Sequence, residues 1–313
     1  MEDLESHIPP AVRLRAASLG DDGHRWLAGL PDLVTDLEAR WSVRVERSLS
    51  GGTAAFVGAA RTVDGTPVIL KVSVPDPDLG DEIGTLDRAR GRRYVRLLAH
   101  DTSRRAMLLE ALGPALDRVN LPPVRQLEVI CRLLATAWMV PPAASGRMAA
   151  PRDKAVGLDR LVRRLWDELD QPCSPSVLEQ ALIFARRRSD AFDPARTVLV
   201  HGDAAAANVL GVLSARPGAE TGFVFVDPDG FRGDPAYDVG VALRDWCPEL
   251  LASDDPRGLA WHYCHVLAVN SGFDEQSVWE WAFLERVSTG LYVLAMGAAE
   301  QSRPFFETAE ALL

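Results

Sequence analysis

Val198-Leu-Val-His-Gly-Asp-Ala-Ala-Ala-Ala-Asn208 is the stretch on which the reading of this chain turns. A short apolar run delivers a His-Gly-Asp turn, and an asparagine follows five positions after Asp203. A second aspartate, Asp227, closes the apolar run Phe223-Val-Phe-Val226. Residues 209–213 and 223–226 predict two short strands, and 214–222, with Pro217, Gly218 and Gly222, predicts the turn that joins them. In such an antiparallel hairpin the first residue of one strand lies opposite the last of the other, roughly 5 Å away. Asn208 and Asp227 are therefore expected to be neighbours and to share a cation. One carboxylate to receive a hydroxyl proton, with an amide and a second carboxylate to hold metal, is what phosphoryl transfer from a magnesium nucleotide requires. A single Asp or Asn at a strand end is usually only a turn former. Four residues, His201, Asp203, Asn208 and Asp227, at fixed offsets around one hairpin say much more.

Upstream, the pattern changes twice. Trp26, Leu27, Leu30, Leu33, Val34, Leu37 and Trp41 recur at helical spacing over residues 22–41, with Pro31 expected to kink or break the helix. Strands begin at Val43, and Asp64-Gly65 between 56–62 and 66–74 is a hairpin signal, since both residues tolerate positive φ. Lys71 stands inside the apolar strand Val68-Ile-Leu-Lys-Val-Ser-Val74, where a buried ammonium needs an anion. A helix over 81–90 and a strand over 105–110 follow, and the chain is expected to change lobes at Ala111-Leu-Gly-Pro114. Beyond it lie predicted helices at 124–140, 158–170 and 176–192, a Pro/Ala/Gly-rich loop at 141–157, and helices after the catalytic hairpin. Strands first and helices later indicate an α+β chain with segregated layers.

The residues after Asp227 carry a resemblance. Val226-Asp-Pro-Asp-Gly-Phe-Arg-Gly-Asp-Pro-Ala-Tyr-Asp-Val-Gly240, taken with His201-Gly-Asp203 and Asn208, resembles the aminoglycoside phosphotransferase group of kinase-like enzymes. Gly233-Asp-Pro-Ala-Tyr-Asp238 and Val68-Ile-Leu-Lys71 are similar to its streptomycin/hydroxyurea phosphotransferase branch. The resemblance runs from near residue 47 to near residue 294. It implies a two-lobed protein-kinase-like fold: a β-rich nucleotide-binding lobe over 1–112, with a helical extension over about 1–42, and a mainly helical lobe over 113–313. The second lobe would carry the catalytic loop and the acceptor site. The implied reaction moves the γ-phosphate of ATP or GTP to a hydroxyl of an aminoglycoside-like antibiotic and so inactivates it.

The same resemblance assigns roles. Asp203 is the catalytic base, and Asn208 and Asp227 hold Mg2+. Lys71 contacts the nucleotide phosphates, with Glu82 as its partner and Asp81 as the adjacent alternative. Ser50, Gly51 and Gly52 lie in a loop whose backbone N–H groups suit a phosphate, although a plain hairpin turn explains them equally well. Glu110 to Leu112 would be the hinge against the adenine. His201 is expected to orient the loop, Asp238 to hold it from behind, and Asp229 to cap the following turn or, as the alternative, to reinforce the metal site. Related enzymes carry Leu-His or another bulky or polar pair after the catalytic aspartate. Here Ala204 and Ala205 follow, which implies a lost phosphate contact or a wider pocket.

Residues 245–313 contain eleven acidic side chains against three arginines. Asp245, Glu249, Glu280 and Glu285 lie in the segment that forms the acceptor wall in the enzymes this chain resembles, so the resemblance implies a cationic acceptor, rich in amines or guanidines. With 47% hydrophobic and 25% charged residues the composition is that of a globular protein, and the net charge of −10 argues against a nucleic-acid partner. No apolar run is long enough for a membrane, and four scattered cysteines fit a reducing cytoplasm. His262 and His265 share a helix face without further ligands, so ordinary packing is expected there. Two other readings compete: a metabolic kinase of a sugar or amino alcohol, and a catalytically silent nucleotide-binding module. The second is disfavoured because Lys71, Asp203, Asn208 and Asp227 are all retained.

Overall fold

The computed structural model describes residues 8–49, 52–145 and 147–313. Its first part contains α1 (Pro10–Ser18), α2 (Asp21–Trp41), β1 (Val43–Ser48), β2 (Ala55–Thr62), β3 (Pro67–Ser73), α3 (Glu82–Ala89), β4 (Leu97–Asp101) and β5 (Ala106–Glu110). The strands form one antiparallel sheet in the order β1-β2-β3-β5-β4. Side chains alternate across β3. Leu70 and Val72 pack with Leu30, Val34 and Leu37 of α2 and Val12 of α1 on one face, which sends Lys71 to the other. Pro31 does not break α2 as expected; the helix continues through it. Burying Leu30, Val34 and Leu37, at about 1.5–3 kcal/mol each, outweighs the roughly 3 kcal/mol that an interior proline costs. Ser50 and Gly51 lie outside the described residues.

The second part contains β6 (Leu112–Ala115), α4 (Pro123–Ala137), α5 (Lys154–Glu168), α6 (Pro175–Asp190), β7 (Val198–Val200), β8 (Val209–Val212), β9 (Phe223–Phe225), β10 (Phe231–Gly233), α7 (Pro235–Val241), α8 (Cys247–Leu251), α9 (Pro256–Ser271), α10 (Glu275–Ala295) and α11 (Ala299–Ala311). After Glu110 the chain leaves the first sheet, and β6 joins β8 and β9 in a second one. β7 pairs with β10. α10 is the central element, buried over most of its length from Ser277 to Leu291, with α5, α6, α7, α9 and α11 around it. The architecture is the expected α+β one, a β-rich first lobe and a mainly helical second lobe.

Two local expectations change. α5 starts at Lys154, four residues before the predicted 158, because the Asp153 carboxylate accepts from the backbone N–H groups of Ala155 (3.0 Å) and Val156 (3.3 Å). In the β8–β9 hairpin Val209 pairs with Phe225, and Val226 N–H donates to the Asn208 carbonyl at 2.9 Å. Asn208 thus falls opposite Val226, one residue short of Asp227. Among the described residues no helix is long and apolar enough to cross a membrane.

Candidate active site

β7 and β10 pair at the base of the Asp203 loop, and Asp238 on α7 fixes the turn between β7 and Asp203. The Asp238 side chain is fully buried. Its Oδ2 accepts from His201 N–H (2.8 Å) and Trp138 Nε1–H (2.9 Å), and its Oδ1 from Gly202 N–H (2.8 Å). Burial pushes the Asp238 carboxyl up, and these donors pull it back. Gly202 has φ +91°, and a Cβ there would meet the Cβ of Asp229 at 2.5 Å, so only glycine fits. His201 accepts the Asp203 N–H on Nδ1 (3.1 Å), which leaves Nε2–H to donate to the Val226 carbonyl (2.9 Å). One imidazole therefore ties the catalytic loop to the strand end before Asp227. Tyr94 stacks on it and Phe225 packs at 4.6 Å.

Asp203 is held through both carboxylate oxygens. Asn208 Nδ2 donates to Oδ2 (2.8 Å) and to the Asp203 carbonyl (2.9 Å). Arg244 Nη1 lies 2.8 Å from Oδ1, as a close charge pair and not an aligned hydrogen bond. Arg244 also grips Asp245 with Nε and Nη2, both at 2.9 Å. Burial would raise the Asp203 carboxyl, but Arg244, followed by lesser contributions, holds it below the ordinary carboxylate range.

Across the cleft, Lys71 Nζ donates to both Glu82 oxygens (2.7 Å each) and to Asp227 Oδ1 (2.8 Å). Burial lowers the ammonium's proton affinity, yet Asp227 and Glu82 together hold it above its ordinary value. Glu82 moves up, because it is buried and the single ammonium is shared with a second carboxylate, Asp227. A fully charged Lys71 thus stands between two competing carboxylates. Asp227 itself sits at φ +56°, a left-handed conformation that Asp tolerates better than most residues and that recurs at functional sites.

The cleft between these groups measures about 830 Å³. Lys71, Glu82, Asp203, Asn208, Asp227, Asp229 and Gly52 all line it. Among the described residues, Asn208 Oδ1 and Asp227 Oδ2 have no hydrogen-bond partner, and no cluster of three or more His, Cys, Asp or Glu gathers to hold a metal alone. Two hard oxygen donors fit Mg2+, which takes one or two protein ligands and completes its shell with phosphates and water.

The remaining expected residues scatter. Of the four acceptor-wall candidates, Glu285 lines the cleft, accepting from the Tyr237 hydroxyl at 2.7 Å. Glu280 is buried against Arg187 (3.2 Å) and Arg188 (2.6 Å), Glu249 accepts from the Tyr263 hydroxyl (3.2 Å), and Asp245 is occupied by Arg244; none of these three lines the cleft. Neither Glu110 nor Leu112 borders it either. The Glu110 carboxylate accepts from Arg216 Nε at 3.0 Å and from Arg96 N–H at 2.9 Å, while Leu112 pairs with Val212. Asp81 caps α3 and pairs with Arg88, which leaves Glu82 as the partner of Lys71. His265 pairs with Glu275. Sequence reasoning missed Arg244, Tyr237, Lys154 and Arg15. The only available signal for Arg244 was a charged Arg244-Asp245 pair ending the apolar run Val239-Gly-Val-Ala-Leu243. Arg15 joins Asp76 (2.6 Å) to the Tyr292 hydroxyl (2.5 Å) at the rim of the cleft.

A buried lysine–glutamate pair in a β-rich lobe, facing an aspartate loop pinned by a helical lobe, defines a kinase-like phosphotransferase. The chain belongs to the aminoglycoside/hydroxyurea antibiotic resistance kinase family, whose model matches residues 40–297. It is 25% identical to the streptomycin 6-kinase of Streptomyces glaucescens over 97% of this chain and 95% of that protein. It is 29% identical to the hydroxyurea phosphotransferase of Kitasatospora aureofaciens over 72% of this chain and 64% of that one. Among solved structures, the choline kinase of Streptococcus pneumoniae has the same fold (TM-score 0.58, 13% identity, 90% of this chain and 98% of that one). So does an aminoglycoside phosphotransferase of Streptomyces rimosus solved with ADP and streptomycin (TM-score 0.51, 18% identity, 83% and 98%).

Proposed function

We propose that this kinase transfers the γ-phosphoryl group of magnesium-bound ATP or GTP to a hydroxyl of a cationic, aminoglycoside-like antibiotic, with streptomycin as the first candidate. The observation that carries the reading is the presentation of Asp203 in the same cleft as the Lys71–Asp227 pair. Lys71 would hold the nucleotide phosphates and Glu82 would hold Lys71. Asn208 and Asp227 would hold Mg2+, which when bound neutralises the β- and γ-phosphates. Asp203 accepts a hydrogen bond from the acceptor hydroxyl, orients it at the γ-phosphorus and takes its proton as the new bond forms. A carboxylate of lowered proton affinity is a weak base, so orientation is its larger contribution and proton uptake comes late.

Two features support a cationic acceptor. Glu285 and Asp229 border the cleft beside Asp203, and relatives spanning nearly the whole chain carry the name streptomycin 6-kinase. In this scheme residues 1–112 serve the nucleotide and 113–313 the acceptor. A phosphorylation screen of streptomycin, other aminoglycosides, hydroxyurea, sugars and amino alcohols with ATP and GTP tests it. Turnover is expected with amine- or guanidine-bearing acceptors. Turnover confined to neutral sugars and insensitive to ionic strength would overturn the assignment.

A further inference from the structure

Among the described residues that line the cleft, four cations already have partners. Arg15 is paired with Asp76, Lys71 with Glu82 and Asp227, and Arg244 with Asp203 and Asp245, while Arg105 donates to the Asp76 carbonyl. Lys154, the first residue of α5, lines the same cleft without any ion pair or hydrogen bond through its ammonium. Its Nζ lies over the rings of Tyr237 and Phe231, 5.2 and 5.5 Å from their centroids. The Tyr237 hydroxyl in turn donates to Glu285 (2.7 Å) and lies 3.2 Å from the Gly202 carbonyl, so the stack stands beneath the catalytic loop. The backbone at Lys154 is set by the Asp153 cap, and Ser189 Oγ donates to that cap at 2.6 Å.

The charges around Lys154 show where it acts. Asp229 and Glu285 line the same cleft. Burial raises the Glu285 carboxyl, and Lys154 is the strongest charge opposing that rise. Neither carboxylate comes within ion-pair distance, so the ammonium keeps its donors. The two residues after Asp203, Ala204 and Ala205, are buried and offer no side-chain donor. A phosphoryl group that spreads negative charge over its equatorial oxygens beside Asp203 thus meets no side-chain donor from these two positions.

We propose that Lys154 is a catalytic residue whose ammonium donates hydrogen bonds to the phosphoryl group in flight and to the phosphate of the product. The inference rests on the phosphotransfer reading above. In the step it serves, the acceptor oxygen bonds to the γ-phosphorus, and the bond from that phosphorus to the β,γ-bridging oxygen breaks. The nucleoside diphosphate leaves with the electron pair and the hydroxyl proton passes to Asp203. Lys154 gives up no proton.

The test uses the full chain and needs no acceptor. Calorimetry compares the affinity for magnesium ADP with that for magnesium ADP plus fluoroaluminate, a mimic of the phosphoryl group in transfer. Lys154→Met keeps the apolar stem over the two rings and removes the charge. ADP affinity is expected to remain as in the wild type, while the tightening brought by fluoroaluminate falls by about 100-fold, the usual cost of one preorganised donor. Lys154→Arg should recover part of it. Should the methionine variant fold poorly, Lys154→Gln gives the same comparison with a polar head retained. Full tightening in either neutral variant means that Lys154 only balances Asp229 and Glu285, and overturns the proposal. A wild type that transfers phosphate to no acceptor overturns the proposed substrate alone, since the fluoroaluminate comparison still decides the role of Lys154. A wild type that does not tighten with fluoroaluminate overturns both.

Discussion

Arg244 Nη1 and Asn208 Nδ2 hold opposite oxygens of Asp203, each at 2.8 Å. A carboxylate gripped from both sides cannot rotate freely, and the guanidinium keeps it ionised in a site where burial alone would favour the acid. Arg244 stands six residues beyond Asp238, so one short stretch of chain both buttresses the loop from behind and fixes the Asp203 carboxylate in front.

Replacing Arg244 should move the acid side of the pH–rate profile upward. Asp203 must be ionised to accept the hydroxyl proton, and its folded proton affinity lies below the ordinary carboxyl value of about 3.9. Its contribution to stability and activity is therefore present above that value and is lost as pH falls through the lower folded one. In Arg244→Met the carboxyl rises, and activity is lost at a higher pH than in the wild type. A pH–rate profile of the folded variant checks this; an unshifted acid limb would show that Arg244 does not tune Asp203.

Asp203→Ala and Asp227→Ala should fail in different ways. Asp203 holds no proposed metal ligand position, so its loss is expected to leave magnesium-nucleotide binding intact while transfer falls by about 10²–10⁴-fold. Asp227→Ala removes a proposed magnesium ligand and one partner of Lys71, so binding and transfer should both fall, with Asn208→Ala a milder version. Calorimetry with and without magnesium, paired with a transfer assay, separates the cases. Near-normal turnover in folded Asp203→Ala would remove the catalytic assignment altogether.

Lys71→Ala leaves Glu82 and Asp227 facing each other without the ammonium between them. The rise in melting temperature that nucleotide confers should shrink, because binding to the folded state stabilises it by mass action. Thermal melts with a nucleotide titration measure this. An undiminished shift would place the phosphates elsewhere.

Asp238→Asn tests the buttress. The carboxylate accepts from three donors, two of them buried backbone N–H groups. An amide nitrogen in place of one oxygen would face a donor, and each orphaned donor costs about 1–3 kcal/mol. Denaturant unfolding should show a loss of that order, with turnover falling further as Gly202 and Asp203 lose their position. A variant as stable and as active as the wild type would show that the loop is held by other contacts.

Much of the site was legible because its chemistry is local in sequence. His201, Asp203, Asn208 and Asp227 sit around one hairpin, and strand alternation alone turns Lys71 away from Leu70 and Val72. The hairpin register was off by one residue, since the left-handed φ at Asp227, which no spacing reveals, ends the pairing at Val226. The acceptor wall was the least legible part. Acidic residues in residues 245–313 could be counted, but Glu280 is spent on two arginines of α6 and Glu249 on Tyr263, and only the packing of α10 and α9 shows it. Lys154 falls in a Pro/Ala/Gly-rich stretch that reads as a loop, because its helix is started by the Asp153 cap and not by an apolar period.

The sequence by itself determined the α+β order, the family and the four residues proposed to carry the reaction, because each depends on periodicity or on offsets within a few turns of chain. The tertiary structure decided which charges are free. Arg244 pairs with Asp203, and Glu82 and Asp227 pair with Lys71, across as many as 156 positions of chain, while Lys154 is left without a counter-ion. The strength of such pairings depends on distance and on the dielectric of a buried cleft, and neither exists until the chain has folded.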